Sequence, residues 1–135
     1  MPSIAESLVT LIEANETIQD LGIELHYAQA TRESEYPYIT YIETVGIPTQ
    51  LHAGGAADDQ TQVIVETRWD FKVWGTDSTI VNSIYQELAN IFNKNDLDGY
   101  IGLVRGPGLP METEVNAPDG FIYSRIIECS VYAEE

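Results

Sequence analysis

Polar and apolar positions alternate most regularly between Gln62 and Gly75, QVIVETRWDFKVWG. Val63, Val65, Thr67, Trp69, Phe71 and Val73 make one mostly apolar face, and Glu66, Arg68, Asp70 and Lys72 dominate the other. A period of two is that of a strand with one buried side. At about 3.3 Å per residue, the run from Gln62 to Trp74 reaches about 43 Å, more than a compact domain of this size spans, so part of it is expected to project beyond the core. Phe121, Tyr123, Arg125, Ile127, Cys129 and Val131 alternate in the same way and predict a last strand from Phe121 to Tyr132. The segment YPYITYIETVG is rich in strand formers, with Pro37 at its start where a strand tolerates it, and predicts a strand ending at Gly46.

Two stretches have helical spacing instead. Ile4, Leu8, Leu11 and Ile12 follow a capping box of Ser3 and Glu6 and predict a short amphipathic helix ending near Asn15. Asp77 is a good N-cap for a longer helix whose stripe is Ile80, Val81, Ile84, Tyr85, Leu88, Ile91 and Phe92. Ile23 to Ala28 reads as a brief extended segment and Tyr100 to Val104 as a short strand. GPGLP, from Gly106, reads as a turn-rich loop, and Asn116 to Gly120 as a turn. Between two of the strands, Ile47 to Thr61 has no strong periodicity, and loops of that length are usually functional or disordered.

The order helix, strand, strand, helix, strand, strand predicts a single α+β domain over residues 1–135. Its expected form is a mainly antiparallel sheet of about four strands, two helices packed on one face, and a long β-hairpin loop. Trp69, Phe71, Val73, Ile84, Leu88 and Ile127 are expected to share one core.

Charge narrows the function. Six basic residues face twenty-two acidic ones, for a formal net charge of −16, and before Arg68 the only basic residue is Arg32. Gripping nucleic acid needs clustered Lys and Arg, so a phosphate-binding surface is not expected. The N-terminus has neither a basic n-region nor a continuous apolar stretch, so no signal peptide or membrane anchor is expected, and a cytoplasmic place of synthesis and assembly is. The single Cys129 sits between Ile127 and Val131 on an alternating face and reads as a core thiol.

Candidate chemistry is thin. His52 lies near Gly54, Gly55, Asp58 and Asp59, but no second histidine is close and the P-loop lysine is missing, so neither a metal nor a phosphate is expected there. Gly102, Gly106 and Gly108 resemble a phosphate loop only superficially, because Pro107 and Pro110 prevent the helix start that would hold the anion. His26 is isolated, no serine lies in an elbow motif, and Glu112 with Glu114 reads as a solvated face. No catalytic, cofactor-binding or metal-binding residues are expected, and the protein is not expected to be an enzyme.

The opening helix, PYITY at Pro37 to Tyr41, RWDFKVWG at Arg68 to Gly75 leading into a helix, and RIIECSVY at Arg125 to Tyr132 together resemble the tail completion, or tail terminator, proteins of long-tailed phages and gene transfer agents. The resemblance spans most of the chain, from Ile4 to Tyr132, and departs from the family's pattern in the proline-rich excursion from Gly106 to Pro118. It implies a structural protein of the virion tail or neck, a homo-oligomer in a hexameric ring. Such a ring caps the tail tube protein, joins it to the head-completion or connector protein, and leaves a channel through which DNA passes without specific binding. In that setting Ile47, Gln50, Leu51, His52, Asp58, Asp59 and Gln60 are the expected subunit or ring contacts. Other classes stay open: another neck or tail component such as a head-closure or tube subunit, and a small cytosolic enzyme or ligand-binding domain.

Overall fold

A computed structural model describes residues 3–29, 35–52, 61–94, 97, 99–116 and 120–134, with the backbone path alone for residues 45–52, 61–64, 116 and 134. The first helix, α1 (Ile4–Glu13), begins as its capping box requires: Ser3 Oγ accepts from the Glu6 N–H at 3.1 Å. Asn15 follows this helix and also caps a second, α2 (Glu16–Asp20), by accepting from the Ile18 N–H. This short helix was not expected from the sequence, because five residues hold too little of a 3.6-residue period to show one. Strand β1 (Glu24–Tyr27) leads to β2 (Tyr38–His52), β3 (Thr61–Gly75), the long helix α3 (Ser78–Phe92), β4 (Gly102–Gly108), β5 (Glu112–Asn116) and β6 (Gly120–Glu134). Asp77 caps α3, its Oδ1 accepting from Thr79 and Ile80 N–H.

The α+β class holds, but among the described residues the sheet has six strands rather than about four, and three helices rather than two accompany it. Its order is β1-β2-β3-β6-β4, with β5 pairing β6 beside β4. Its described pairings are mainly antiparallel, as expected, but β1 runs parallel to β2 in the register Glu24↔Tyr38 to Tyr27↔Tyr41, which makes the sheet mixed. The expected turn-rich loop at Gly106 is strand: β4 pairs β6 antiparallel through that segment, with a register shift between Arg105 and Gly108. Glycine and proline suit the position. A Cβ on Gly106 would stand 2.9 Å from Glu128 Cβ, and Pro107 lies on an edge strand, where a missing N–H is tolerated. The excursion after it also pairs, β5 lying against β6 from Glu112↔Ser124 to Asn116↔Gly120.

One face of the sheet carries Ile39, Trp69, Phe71, Val73, Leu103, Ile127, Cys129 and Val131, all buried with Leu8, Ile12, Ile18, Val81, Ile84, Leu88, Ile91 and Phe92 from the helices. Phe71 sits at the centre, its ring 5.2 Å from that of Phe92 and stacked on Tyr41 at 5.7 Å. The six positions expected to form the core are all in it.

Candidate functional site

The long hairpin and the uncovered sheet face are the two features the core leaves over. Strands β2 and β3 pair antiparallel all the way from Tyr38↔Trp74 to His52↔Thr61, with an irregularity between Glu43 and Val45. The connection expected at Ile47 to Thr61 is therefore ladder at both of its ends: Ile47, Gln50, Leu51 and His52 lie in β2, in register with Glu66, Val63, Gln62 and Thr61, and residues 53–60 lie outside the described residues. Pairing with β3 decides this, since the short alternation of Val45, Ile47 and Leu51 does not record what stands opposite. Asp58, Asp59 and Gln60 fall outside the described residues. Strand β6 accompanies β3 as far as Ile64↔Glu134. From Thr61 to Val63 the described ladder is β2 and β3 alone, and β3, at fifteen residues, spans about 50 Å.

On the uncovered face the charges of β3 are matched locally. Arg68 Nε donates to Glu66 Oε2 at 3.4 Å, and the Tyr132 hydroxyl donates to the same oxygen at 3.2 Å. Lys72 Nζ stands 4.1 Å from the Trp74 ring centre, and Trp74 Nε1 donates to Thr40 Oγ1 at 3.0 Å. Among the described residues both basic side chains on this face, Arg68 and Lys72, are committed, so those residues offer no cluster of free cations to a phosphate backbone.

Asp70 is the exception. It lies opposite Glu128 in the β3–β6 register, and its Oδ1 is buried without a hydrogen-bond partner. Burial, and then the Glu128 carboxylate, push its pKa above the ordinary carboxylate value. An acid whose pKa is raised by folding takes up a proton more readily in the folded state. Its charge therefore costs stability above the folded pKa, and the cost is relieved as pH falls through it. Asp70→Asn is expected to raise the unfolding midpoint at pH 7, and the gain should shrink as pH approaches the ordinary carboxylate range. A lower midpoint for the variant at pH 7 would mean that the carboxylate makes a favourable contact.

The remaining candidates stay apart. His26 Nε2 lies 3.2 Å from Glu24 Oε2 on β1 and meets the Tyr38 ring edge-on. Cys129 is fully buried, and burial, with Asp70 and Glu128 nearby, drives its thiol pKa well upward, so the reactive thiolate is suppressed. Glu112 and Glu114 are exposed on β5. Among the described residues no group of three or more His, Cys, Asp or Glu could hold a metal ion, and no helix is long and apolar enough to cross a membrane.

An open groove of about 580 Å³ runs along α3, lined by Ser78, Thr79, Asn82, Ser83, Gln86, Glu87, Met111 and Arg125. Arg125 is held there on all sides. Its guanidinium stacks 3.6 Å from the Tyr85 ring centre, Nε donates to the Leu109 carbonyl at 3.1 Å, and Nη1 donates to Asn82 Oδ1. The groove's described lining includes no histidine or cysteine, and its Glu87 carboxylate accepts from Asn15 Nδ2 at 3.2 Å. The sequence places Arg125 on the apolar face of its strand, a departure from the alternation that marks it as special but does not reveal its partners.

No protein-family model matches the chain, and no curated protein matches it. Among solved structures, one similar chain, 13% identical over 96% of each chain, superposes with a TM-score of 0.40, too loosely to carry an argument. Another comes from the virion of a native gene transfer agent particle, with a TM-score of 0.57 at 9% identity. The similarity covers 98% of this chain and 96% of that one, so the two share a fold over nearly their whole lengths.

Proposed function

We propose that the protein is a non-enzymatic structural subunit of a phage-type virion, and within it the tail terminator: a hexameric ring that caps the tail tube and joins it to the head connector. The observation that carries this reading is the fold shared end to end with a chain of a gene transfer agent virion. The sequence segments that resemble tail terminators support the finer role. PYITY ends in β2, RWDFKVWG lies in β3 and RIIECSVY lies in β6, three strands adjacent in the sheet. They form the central scaffold of the subunit and the base of its extension.

A ring of such subunits needs a contact that closes and stops, unlike a tube subunit, which must go on polymerising. The net charge of −16 suits a channel through which DNA slides without being held. Light scattering on the purified protein coupled to size exclusion, with electron microscopy of the assembled fraction, tests the proposal. A closed ring of fixed size that does not retain duplex DNA at physiological salt is the expected result. Open-ended filaments, a strict monomer at high concentration, or tight salt-sensitive DNA binding would each overturn it.

A further inference from the structure

Among the described residues the sheet leaves two edge segments unpaired, one on each side and at the same level, with the irregularity between Glu43 and Val45 giving the β2 segment one residue more. Among the described residues, β1 covers β2 only as far as Tyr41, leaving the outer side of β2 free from there to His52, and no strand lies on the outer side of β4. An unpaired edge presents a row of backbone donors and acceptors ready to accept another strand.

Three registers, read across the sheet, set the two edges at one level. Arg105 pairs with Cys129, Cys129 with Trp69, and Trp69 with Glu43. Likewise Val104 is level, through Ser130 and Arg68, with Val45, and Gly102, through Tyr132 and Glu66, with Ile47. The outer edge of β4 from Gly102 to Arg105 therefore stands at the height of Glu43 to Ile47, where β1 has just ended. Direction agrees as well. Passing from β2 to β3, β6 and β4 crosses three antiparallel pairings, so β4 runs opposite to β2. A second copy related by rotation about an axis along the strands, without sliding, would lay its β4 antiparallel to β2 of the first.

Charge completes the match. Arg105 and Glu43 end the same row, both are exposed, and among the described residues neither side chain has a hydrogen-bond or ion-pair partner. The two carry opposite charge, one on each edge. Exposed aliphatic side chains flank both edges: Ile42 beside β2's, Ile101 and Val104 beside β4's.

The geometry points to a head-to-tail contact between copies of this chain, in which the outer edge of β4 pairs with the free edge of β2 on the next copy and Arg105 meets Glu43. This deepens the ring reading and rests on it. Such a contact uses different surfaces on its two sides, the kind that generates rings when the rotation closes.

Charge reversal tests it. Arg105→Glu and Glu43→Arg, each alone, are expected to abolish the assembled species in size exclusion with light scattering while leaving the unfolding midpoint of the subunit within a few degrees, both side chains being exposed. The double reversal is expected to restore assembly. As a second measurement, the Glu43→Cys/Arg105→Cys variant, oxidised, should give a ladder of covalent multimers, whereas either single cysteine variant should not pass a dimer. Rings that survive both single reversals and give no ladder would overturn this contact while leaving the ring proposal standing. Filaments that respond to the reversals would keep the contact and overturn the ring. A wild-type protein that never assembles would overturn both.

Discussion

Trp69→Ala is expected to destabilise the domain by about 3–5 kcal/mol, the range for removing a large buried aromatic side chain. Trp69 is 3% exposed and lies on the helix-covered face of β3, in register with Cys129 of β6 and Glu43 of β2. Its indole Nε1 donates to Thr67 Oγ1 at 3.1 Å, and its ring lies against Tyr41 at a centroid distance of 6.4 Å. Truncation removes both the hydrogen bond and the packing, and the flanking strands are too firmly paired to collapse into the space. Trp69→Phe separates the two contributions by keeping most of the apolar volume while losing the donor, so a smaller loss is expected. Denaturant melts of the three proteins provide the measurement. An unchanged midpoint for Trp69→Ala would place the core on the wrong side of the sheet.

Gly108→Ala is the second change with a large expected effect, at about 1–3 kcal/mol destabilising, as for overpacking of a filled interior. The reason is space: a Cβ at Gly108 would overlap the Tyr85 hydroxyl and stand 2.7 Å from Tyr85 Cζ. Tyr85 has little freedom to withdraw. It is 3% exposed, belongs to α3, and is capped on its ring face by Arg125. The methyl group must therefore push β4 outward at its far end, where the strand returns to register with Ile127. Combining Gly108→Ala with Tyr85→Phe removes the hydroxyl overlap but keeps the ring, so partial recovery of the midpoint is expected. Recovery to the wild-type value would show that only the hydroxyl limits the space, and no loss in the single variant would show that β4 is free to shift there.

The two substitutions differ in how visible their causes were beforehand. Trp69 is buried because its strand alternates, and alternation is a property of neighbouring residues; the same holds for Phe71, Val73, Ile127 and Cys129. The caps at Ser3 and Asp77 and the apolar stripe of α3 are equally local, each depending on residues within a turn or two. The sequence by itself therefore determined the α+β class, the two main helices, the three central strands and the faces that β3 and β6 bury.

Pairing is another matter, because which strand lies beside which, and at what register, depends on residues far apart in the chain. Only the tertiary structure decided that β1 runs parallel to β2, that Gly106 to Gly108 continue a strand against Glu128 and Ile127, and that β5 returns along β6. It also decided that the backbone ladder carries β2 past Gly46 to His52. The same long-range register sets Asp70 against Glu128, clamps Arg125 between Tyr85, Asn82 and the Leu109 carbonyl, and puts Arg105 and Glu43 at the two ends of one row. A period of two records which way a side chain points; it carries no record of what stands opposite, since that is chosen by the packing of the whole sheet.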